Sequence, residues 1–470
     1  MRKTKIVCTI GPSCSDEKTL TEMCNAGMNV ARLNFSHGTH SEHQEKINLI
    51  KTVRNKLNLP ISIMLDTKGP EYRIKTFKNS KIFLNNGDTF TFTTDEIIGD
   101  NSIVAVSYKN LPNDLTVGDT ILLNNGLLSF EVNEIKKNKI ITKVLIGGEL
   151  TDRKSMSFPN KILNHEYLGE QDKKDILFGI ENKVDYIACS FVSTKNDLID
   201  IRNFLKSHNC FDIDLIAKIE NQAGVDNIDE ILEECSGIMI GRGDMGVEIP
   251  FEELPAIQKK IITKCRLLGK RVITATEMLE SMIEKPRPTR AEISDVANAV
   301  YDGTSAIMLS GETAAGKYPV KCVETMSRIA EYTEKNIHYS KRFKLTEFKI
   351  KNTIDAISHA TCGMAIDINA KAIAVCTISG KTARMISRFR PPVDILGMTT
   401  DKRTWYKLAL SWGVTPLLFE HFGSIEFTFN TAKQKCIDKF NLNRNEKIVV
   451  IGGMTNKISG NTNLIKIETV

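Results

Sequence analysis

The sequence predicts an α/β protein: a (β/α)8 TIM barrel interrupted by a small all-β domain and followed by a separate α/β domain. Three observations carry this. Eight short, nearly continuous apolar runs alternate with helix-length segments, the pattern of parallel strands buried on both faces. Polar residues collect at the C-terminal ends of these runs, where such a barrel keeps its chemistry. Between residues 70 and 166 the texture changes to short alternating runs divided by turn signals. At 470 residues the chain is too long for one core. The expected division is a barrel over 1–69 and 167–342, an inserted lid over 70–166 and a C-terminal domain over 343–470.

In chain order, the first strand is Lys5–Ile10, ending in Gly11-Pro12-Ser13, and a helical pattern follows over Glu17–Ala26. Asn29–Phe35 is the second strand and ends in Ser36-His37-Gly38; Leu59–Thr67 is the third. In the insert, Thr89–Thr93, Ile103–Val106 and Ile121–Leu123 alternate, with turn signals at 85–88, 117–119 and 124–126. The barrel resumes with Tyr186–Phe191, Asp214–Asn221, Gly237–Gly241, Arg271–Glu277 and Ala306–Gly311. A third unit starts near Phe343, with strands Ala372–Thr377, Asp394–Met398, Thr415–Phe419, Lys447–Ile451 and Leu464–Ile467.

Composition excludes several classes. Apolar residues make up 41% and charged residues 26%, which suits an ordinary soluble protein. Lys+Arg 63 against Asp+Glu 57 leaves +6, far from the basic stripe of a nucleic-acid binder. No apolar run reaches the roughly 20 residues of a membrane span. The opening run leads directly into a strand, so no signal peptide is expected. Eleven cysteines without a C-x-x-C pair give no zinc or disulfide framework. Apolar neighbours around Cys8, Cys189 and Cys376 point to buried thiols in a reducing cytoplasm.

The chemistry concentrates between Ile213 and Asp244. Two apolar runs, ending near Glu220 and before Asp244, are joined by a helix-length connection, so they should lie side by side and parallel. Two carboxylates placed that way suit a hard divalent cation such as Mg²⁺. Lys218 shares a strand face with Glu220, which suggests an anionic, phosphate-bearing substrate. A buried ion pair inside a barrel is the plainer alternative. Two other signals are set aside. Gly311-Glu-Thr-Ala-Ala-Gly316-Lys317 nearly spells a P-loop, but Tyr318 cannot replace the Ser or Thr that holds Mg²⁺. His37, His40 and His43 recur every three residues in a polar segment, read as a solvated helix start.

Several strand ends resemble the pyruvate kinase family: Arg32-Leu-Asn34-Phe-Ser36-His37-Gly38, Leu65 to Arg73, Lys218-Ile-Glu220-Asn221, Gly241 to Glu248, Asn298 to Gly303, and Ile273 to Leu279 with Pro286 to Arg290. The resemblance spans the whole chain. It implies a β-barrel lid, transfer of phosphate from phosphoenolpyruvate to ADP, dependence on Mg²⁺ and K⁺, and a cytoplasmic homotetramer. It assigns Arg32, Lys218 and Thr276 to catalysis, with Gly243 and Asp244 also on substrate. Glu220 and Asp244 would hold Mg²⁺; Asn34, Ser36, Asp66 and the Thr67 carbonyl would hold K⁺. Asn34, His37, Arg73 and Lys154 would contact the nucleotide. Lys154 stands in Lys154-Ser-Met-Ser-Phe-Pro-Asn160, where the family's two glycines are missing. Thr377, Ser379, Gly380, Lys381 and Thr382 resemble a sugar-phosphate effector loop, with Gly452 to Asn463 as its second half. A strand–helix turn of this kind suits a phosphate by geometry; a tight turn without ligand is the alternative. Competing readings are a barrel that has lost turnover, one recruited to RNA, and an enolate-handling lyase, which would need no nucleotide lid.

Overall fold

Short runs rich in Ile, Val, Leu and Met, with no polar face, form strands that must be covered on both sides. In the computed structural model, which describes residues 1–159, 161, 163–164, 166–453 and 462–470, eight of them close on one another. They are Lys5–Thr9 (β1), Val30–Asn34 (β2), Ser62–Asp66 (β3), Tyr186–Cys189 (β4), Asp214–Ile219 (β5), Gly237–Gly241 (β6), Arg271–Ala275 (β7) and Ala306–Leu309 (β8). Neighbours are parallel and follow chain order, with β8 returning to β1. Inward side chains such as Val7, Met64, Tyr186, Met239 and Met308 fill the interior. Outward ones such as Ile6, Leu33, Ile63 and Ile187 pack under the surrounding helices.

Two of those helices mark the two ends of the barrel. Arg242–Glu248 (α1) starts directly at the end of β6. Leu254–Leu268 (α2) carries Pro255 in its first turn and stops at Gly269, whose φ of 70° suits a residue without a side chain.

The insert is the predicted all-β unit. Its strands run in the order Tyr72–Arg73, Ser155–Ser157, Thr120–Leu123, Leu128–Lys136, Lys139–Ile146, Thr89–Thr93 and Ile103–Ala105. A bridge between Ile74 and Val106 joins the two outer strands and closes the sheet. Phe90, Phe92 and Phe130 form its centre, with Phe92 edge-on to the other two at 5.3 and 5.2 Å.

The C-terminal unit has helices Thr353–Asp367 (α3) and Lys381–Arg388 (α4). Its strands are Ala372–Cys376 (β9), Asp394–Thr399 (β10), Val414–Leu418 (β11), Lys447–Gly453 (β12) and Thr462–Thr469 (β13). The sheet order is β11-β10-β9-β12-β13, parallel except for β13. This unit plugs the N-terminal mouth of the barrel. Leu410 joins the interior cluster, and the Tyr406 and Lys407 carbonyls accept from Ser62 and Tyr186, the first residues of β3 and β4. The opposite mouth is left to the strand ends.

Two expectations change. The last strand is longer than Leu464–Ile467, and residues 454–461 of the second effector-loop segment lie outside the described residues. His43 is not solvated: it is buried and stacks on Phe35 with ring centroids 4.0 Å apart. The helix from His40 to Leu57 turns that position inward, which a run of polar neighbours conceals. All eleven cysteines are buried and free, and no helix among the described residues is long and apolar enough to cross a membrane.

Candidate active site

Asp66 is the last residue of β3 and is wholly buried at the open mouth of the barrel. Its Oδ2 accepts from Arg32 Nε at 2.5 Å, and its Oδ1 lies 3.0 Å from Lys218 Nζ. Arg32 is fixed a second time by Thr9 Oγ1 at 2.9 Å. Lys218 Nζ also donates to Ser190 Oγ at 2.6 Å and lies 3.1 Å from Glu220 Oε1. The other Glu220 oxygen accepts the Phe191 N–H at 2.9 Å. One carboxylate thus orients two cations, and the second cation reaches the next carboxylate.

Charge sets the protonation states. Burial raises the Asp66 carboxyl, but Arg32 and Lys218 outweigh it and hold it below the usual range. Burial alone would lower the pKa of Lys218; Asp66 and Glu220 reverse this and push it above that of an ordinary lysine. The ammonium is therefore a fixed charge and not a proton donor at neutral pH. Glu220 is raised to about 7, first by burial, against the opposing Lys218, with Asp244 and Asp66 adding to the rise. A carboxylate in excess negative charge is one that a divalent cation would relieve.

Asp244, in the first turn of α1, is exposed and close enough to act on Glu220. The β5–β6 pairing brings these two positions together as the sequence implies. Gly241 makes room for Glu220: a Cβ there would stand 2.7 Å from Glu220 Cγ. Among the described residues no third His, Cys, Asp or Glu joins the pair. Glu220 and Asp244 offer two carboxylates that fit a hard divalent cation such as Mg²⁺.

The loop after β7 faces α1. Thr276 and Glu277 have φ of 68° and 54°, a left-handed conformation that costs energy in a β-branched residue. Arg242 holds this loop: Nε donates to the Ala275 carbonyl, Nη2 to the Thr276 carbonyl, and Nη1 pairs with Asp295 at 2.8 Å. From the other side, buried Glu312 accepts the Leu279 N–H. Thr276 Oγ1 accepts the Gly243 N–H at 2.9 Å and donates to its neighbour's carbonyl.

Asn34 pairs in register with Asp66 across β2 and β3, and Ser36 lies just beyond. Asn34 Oδ1, the exposed Ser36, Asp66 and the Thr67 carbonyl are all oxygen donors, which fits a large monovalent cation. His37 is exposed and its carbonyl accepts from His43 Nε2. Arg73 ends a lid strand and Lys154 directly precedes the strand beside it: Arg73 pairs with Ser155, and the Ile74 N–H donates to the Lys154 carbonyl. Neither hydrogen-bonds or ion-pairs with the Asp66 cluster among the described residues. Arg73 pairs instead with Glu71, which also lies 3.1 Å from Lys68.

The turn of Thr377, Ser379, Gly380, Lys381 and Thr382 joins β9 to α4. Ser379 and Lys381 are exposed, but Thr382 is buried and its hydroxyl meets Thr462 at 2.6 Å. Sequence reasoning missed Ser190. Its hydroxyl proton goes to the Thr67 carbonyl at 2.6 Å while its oxygen receives Lys218. Its place at the end of β4, with the other polar strand ends, was the available signal.

Comparison with known families adds a second line. The barrel-domain model of pyruvate kinase matches residues 1–323, and the pyruvate kinase alpha/beta-domain model matches 355–468. A pyruvate kinase of Clostridium acetobutylicum is 44% identical, with both chains covered in full. One of Bacillus licheniformis is 47% identical over this whole chain and 81% of its own length. The solved structure of a Cryptosporidium parvum pyruvate kinase superposes with a TM-score of 0.95 at 37% identity, covering 100% of this chain and 96% of that one.

Proposed function

The chain belongs to the pyruvate kinase family, and from that premise we propose how its own residues carry the family's reaction. That reaction moves a phosphoryl group from phosphoenolpyruvate to ADP, giving pyruvate and ATP. The observation that carries the residue assignment is the Asp66 carboxylate holding Arg32 and Lys218 together at the open mouth of the barrel.

Phosphoryl transfer needs positioned positive charge more than covalent help. Arg32 and Lys218 supply it, pre-oriented by Thr9, Asp66 and Ser190 so that no reorganisation is needed during transfer. Glu220 and Asp244 hold Mg²⁺, which when bound neutralises charge on the phosphoryl oxygens. The substrate carboxylate lies by Gly243, Asp244 and Thr276. Thr276 keeps a hydroxyl near the carbon that gains a proton, and water relays the proton, since Lys218 holds its own too tightly. Asn34, Ser36, Asp66 and Thr67 hold K⁺. Asn34, His37, Arg73 and Lys154 meet the nucleotide, the last two when the insert over 70–166 closes on the barrel of 1–69 and 167–342. The unit over 343–470 binds a sugar phosphate at Thr377, Ser379, Gly380, Lys381 and Thr382 and joins four chains into a cytoplasmic tetramer.

Glu71 tests the monovalent site. The developing phosphoryl charge needs one more positive neighbour, supplied by K⁺ or by a fixed ammonium. Turnover should fall sharply when Na⁺ replaces K⁺ at constant ionic strength. Glu71→Lys should keep part of its activity without K⁺ and respond little when it is added. Full activity of the parent in K⁺-free buffer would remove both the site and the role of Glu71.

A further inference from the structure

Between the barrel and the C-terminal unit lies a cavity of about 560 Å³, lined by none of the residues placed in the reaction and sharing Lys381 with the effector turn. The C-terminal end of α2 forms one wall. The segment before α3 and the exposed side of α4 form the other. Seven of its lining side chains are basic and three are acidic.

Two of the three acids are engaged, and the exposed Glu347 makes no ion pair among the described residues. Asp229 pairs with Lys264. Asp355 gives one oxygen to Arg388 at 2.8 Å and the other to the Lys351 backbone N–H at 3.0 Å. Lys270 donates to the Cys235 carbonyl. That leaves the ammonium groups of Lys349, Lys351 and Lys381 and the guanidinium of Arg384 without a hydrogen bond or ion pair among the described residues. Arg384 sits deep in the seam, where burial and the neighbouring Arg271 both disfavour its charge. Its own carboxylate neighbour, Asp214, is already held by Arg271 and Lys407. In the same wall the buried Arg388 has an Nε with no partner. Between the cations stand Leu267, Leu268, Ile354 and Met385.

Lys349, Lys351 and Arg384, three unpaired cations against the one unpaired carboxylate of Glu347, share a cavity of ligand size with apolar side chains, and this defines a recognisable chemistry. We propose that this cavity binds an organic phosphate in which a group of two or more negative charges is joined to an apolar ring. The phosphate meets Lys349, Lys351 and Arg384, and the ring lies on Leu268 and Met385. Bound there, the ligand bridges the barrel helix α2 and the effector-turn helix α4, and so ties the two units together.

Hydrogen exchange on the full chain, without phosphoenolpyruvate or ADP, tests this with 1-naphthyl phosphate as probe. Amides in 264–270, 347–355 and 381–388 should gain protection. Lys349 and Lys351 are both exposed, so Lys349→Glu with Lys351→Glu should fold and keep the parent's basal turnover. That variant should need about tenfold more probe or greater, because each reversal replaces attraction by repulsion. Arg384→Met should weaken binding in the same direction. Inorganic phosphate should protect the same segments less at equal concentration. The proposal fails if protection is absent, if it is confined to the β2–β6 strand ends, if both variants bind as the parent does, or if inorganic phosphate protects equally.

Discussion

Lys218 and Glu220 are neighbours on one strand face, yet their roles separate through what surrounds them. Lys218 has three acceptors and stays charged; Glu220 has one fixed donor, one cation and two repelling carboxylates. The space that permits this comes from Gly241, the last residue of β6. A Cβ at 241 would press on the Glu220 side chain from 2.7 Å. Gly241→Ala should therefore displace the carboxylate and raise the Mg²⁺ concentration for half-maximal turnover several-fold. Overpacking should also cost about 1–3 kcal/mol of stability. An unaltered Mg²⁺ titration would separate Glu220 from the cation. At this scale the charged residues were legible, because Lys, Glu and Asp at strand ends are conspicuous among apolar runs. Ser190 was not, because a serine ending a strand looks like any other turn residue until its two partners are seen.

At the scale of elements, the loop after β7 is a strained segment braced from both sides. Arg242 directs its fork at two carbonyls of the loop and at Asp295, while Glu312 accepts backbone N–H groups at 279 and 310. Lysine keeps the charge of arginine but not its planar set of donors. Arg242→Lys should lower turnover by about 10- to 100-fold, as loss of positioning does. Its thermal midpoint should stay within a few degrees of the parent. Steady-state rates with a melting curve check this, and unchanged turnover would make the brace merely structural. The strands themselves were legible because buried parallel strands read as unbroken apolar runs. The edge strand β13 was only partly so, since its pairing with β12 is carried by backbone groups. His43 was misread because its polar neighbours point to solvent and it does not.

For the whole molecule, the C-terminal unit closes the barrel's lower mouth and leaves the upper one to chemistry. Lys5, the first residue of β1, lies in that seam and donates to the Val414 carbonyl at 2.7 Å. Burial, with Arg2 and Lys3 beside it, lowers its pKa to about 7, against the opposing Glu334 and Asp394. Below that pH both folded and unfolded chains carry the proton, and Lys5 adds no pH dependence. Above it the unfolded chain keeps a proton that the folded one has lost, so this contribution to stability rises with pH up to the ordinary lysine range. Relative to Lys5→Met, the parent should gain about 1 kcal/mol between roughly pH 7.5 and 8.5 in denaturant unfolding. A flat difference would mean that Lys5 stays charged in the seam. The order of the three units was legible from texture alone, whereas the cavity between two of them depends on side chains far apart in sequence. Chemistry at the upper mouth turns on the Asp66–Lys218 pair, and the most direct measurement is the initial rate of pyruvate formation from phosphoenolpyruvate and ADP with Mg²⁺ and K⁺. The parent should turn over, and Lys218→Met, folded by circular dichroism, should be slower by about 10²- to 10³-fold or more; a variant as fast as the parent would contradict the role given to that pair.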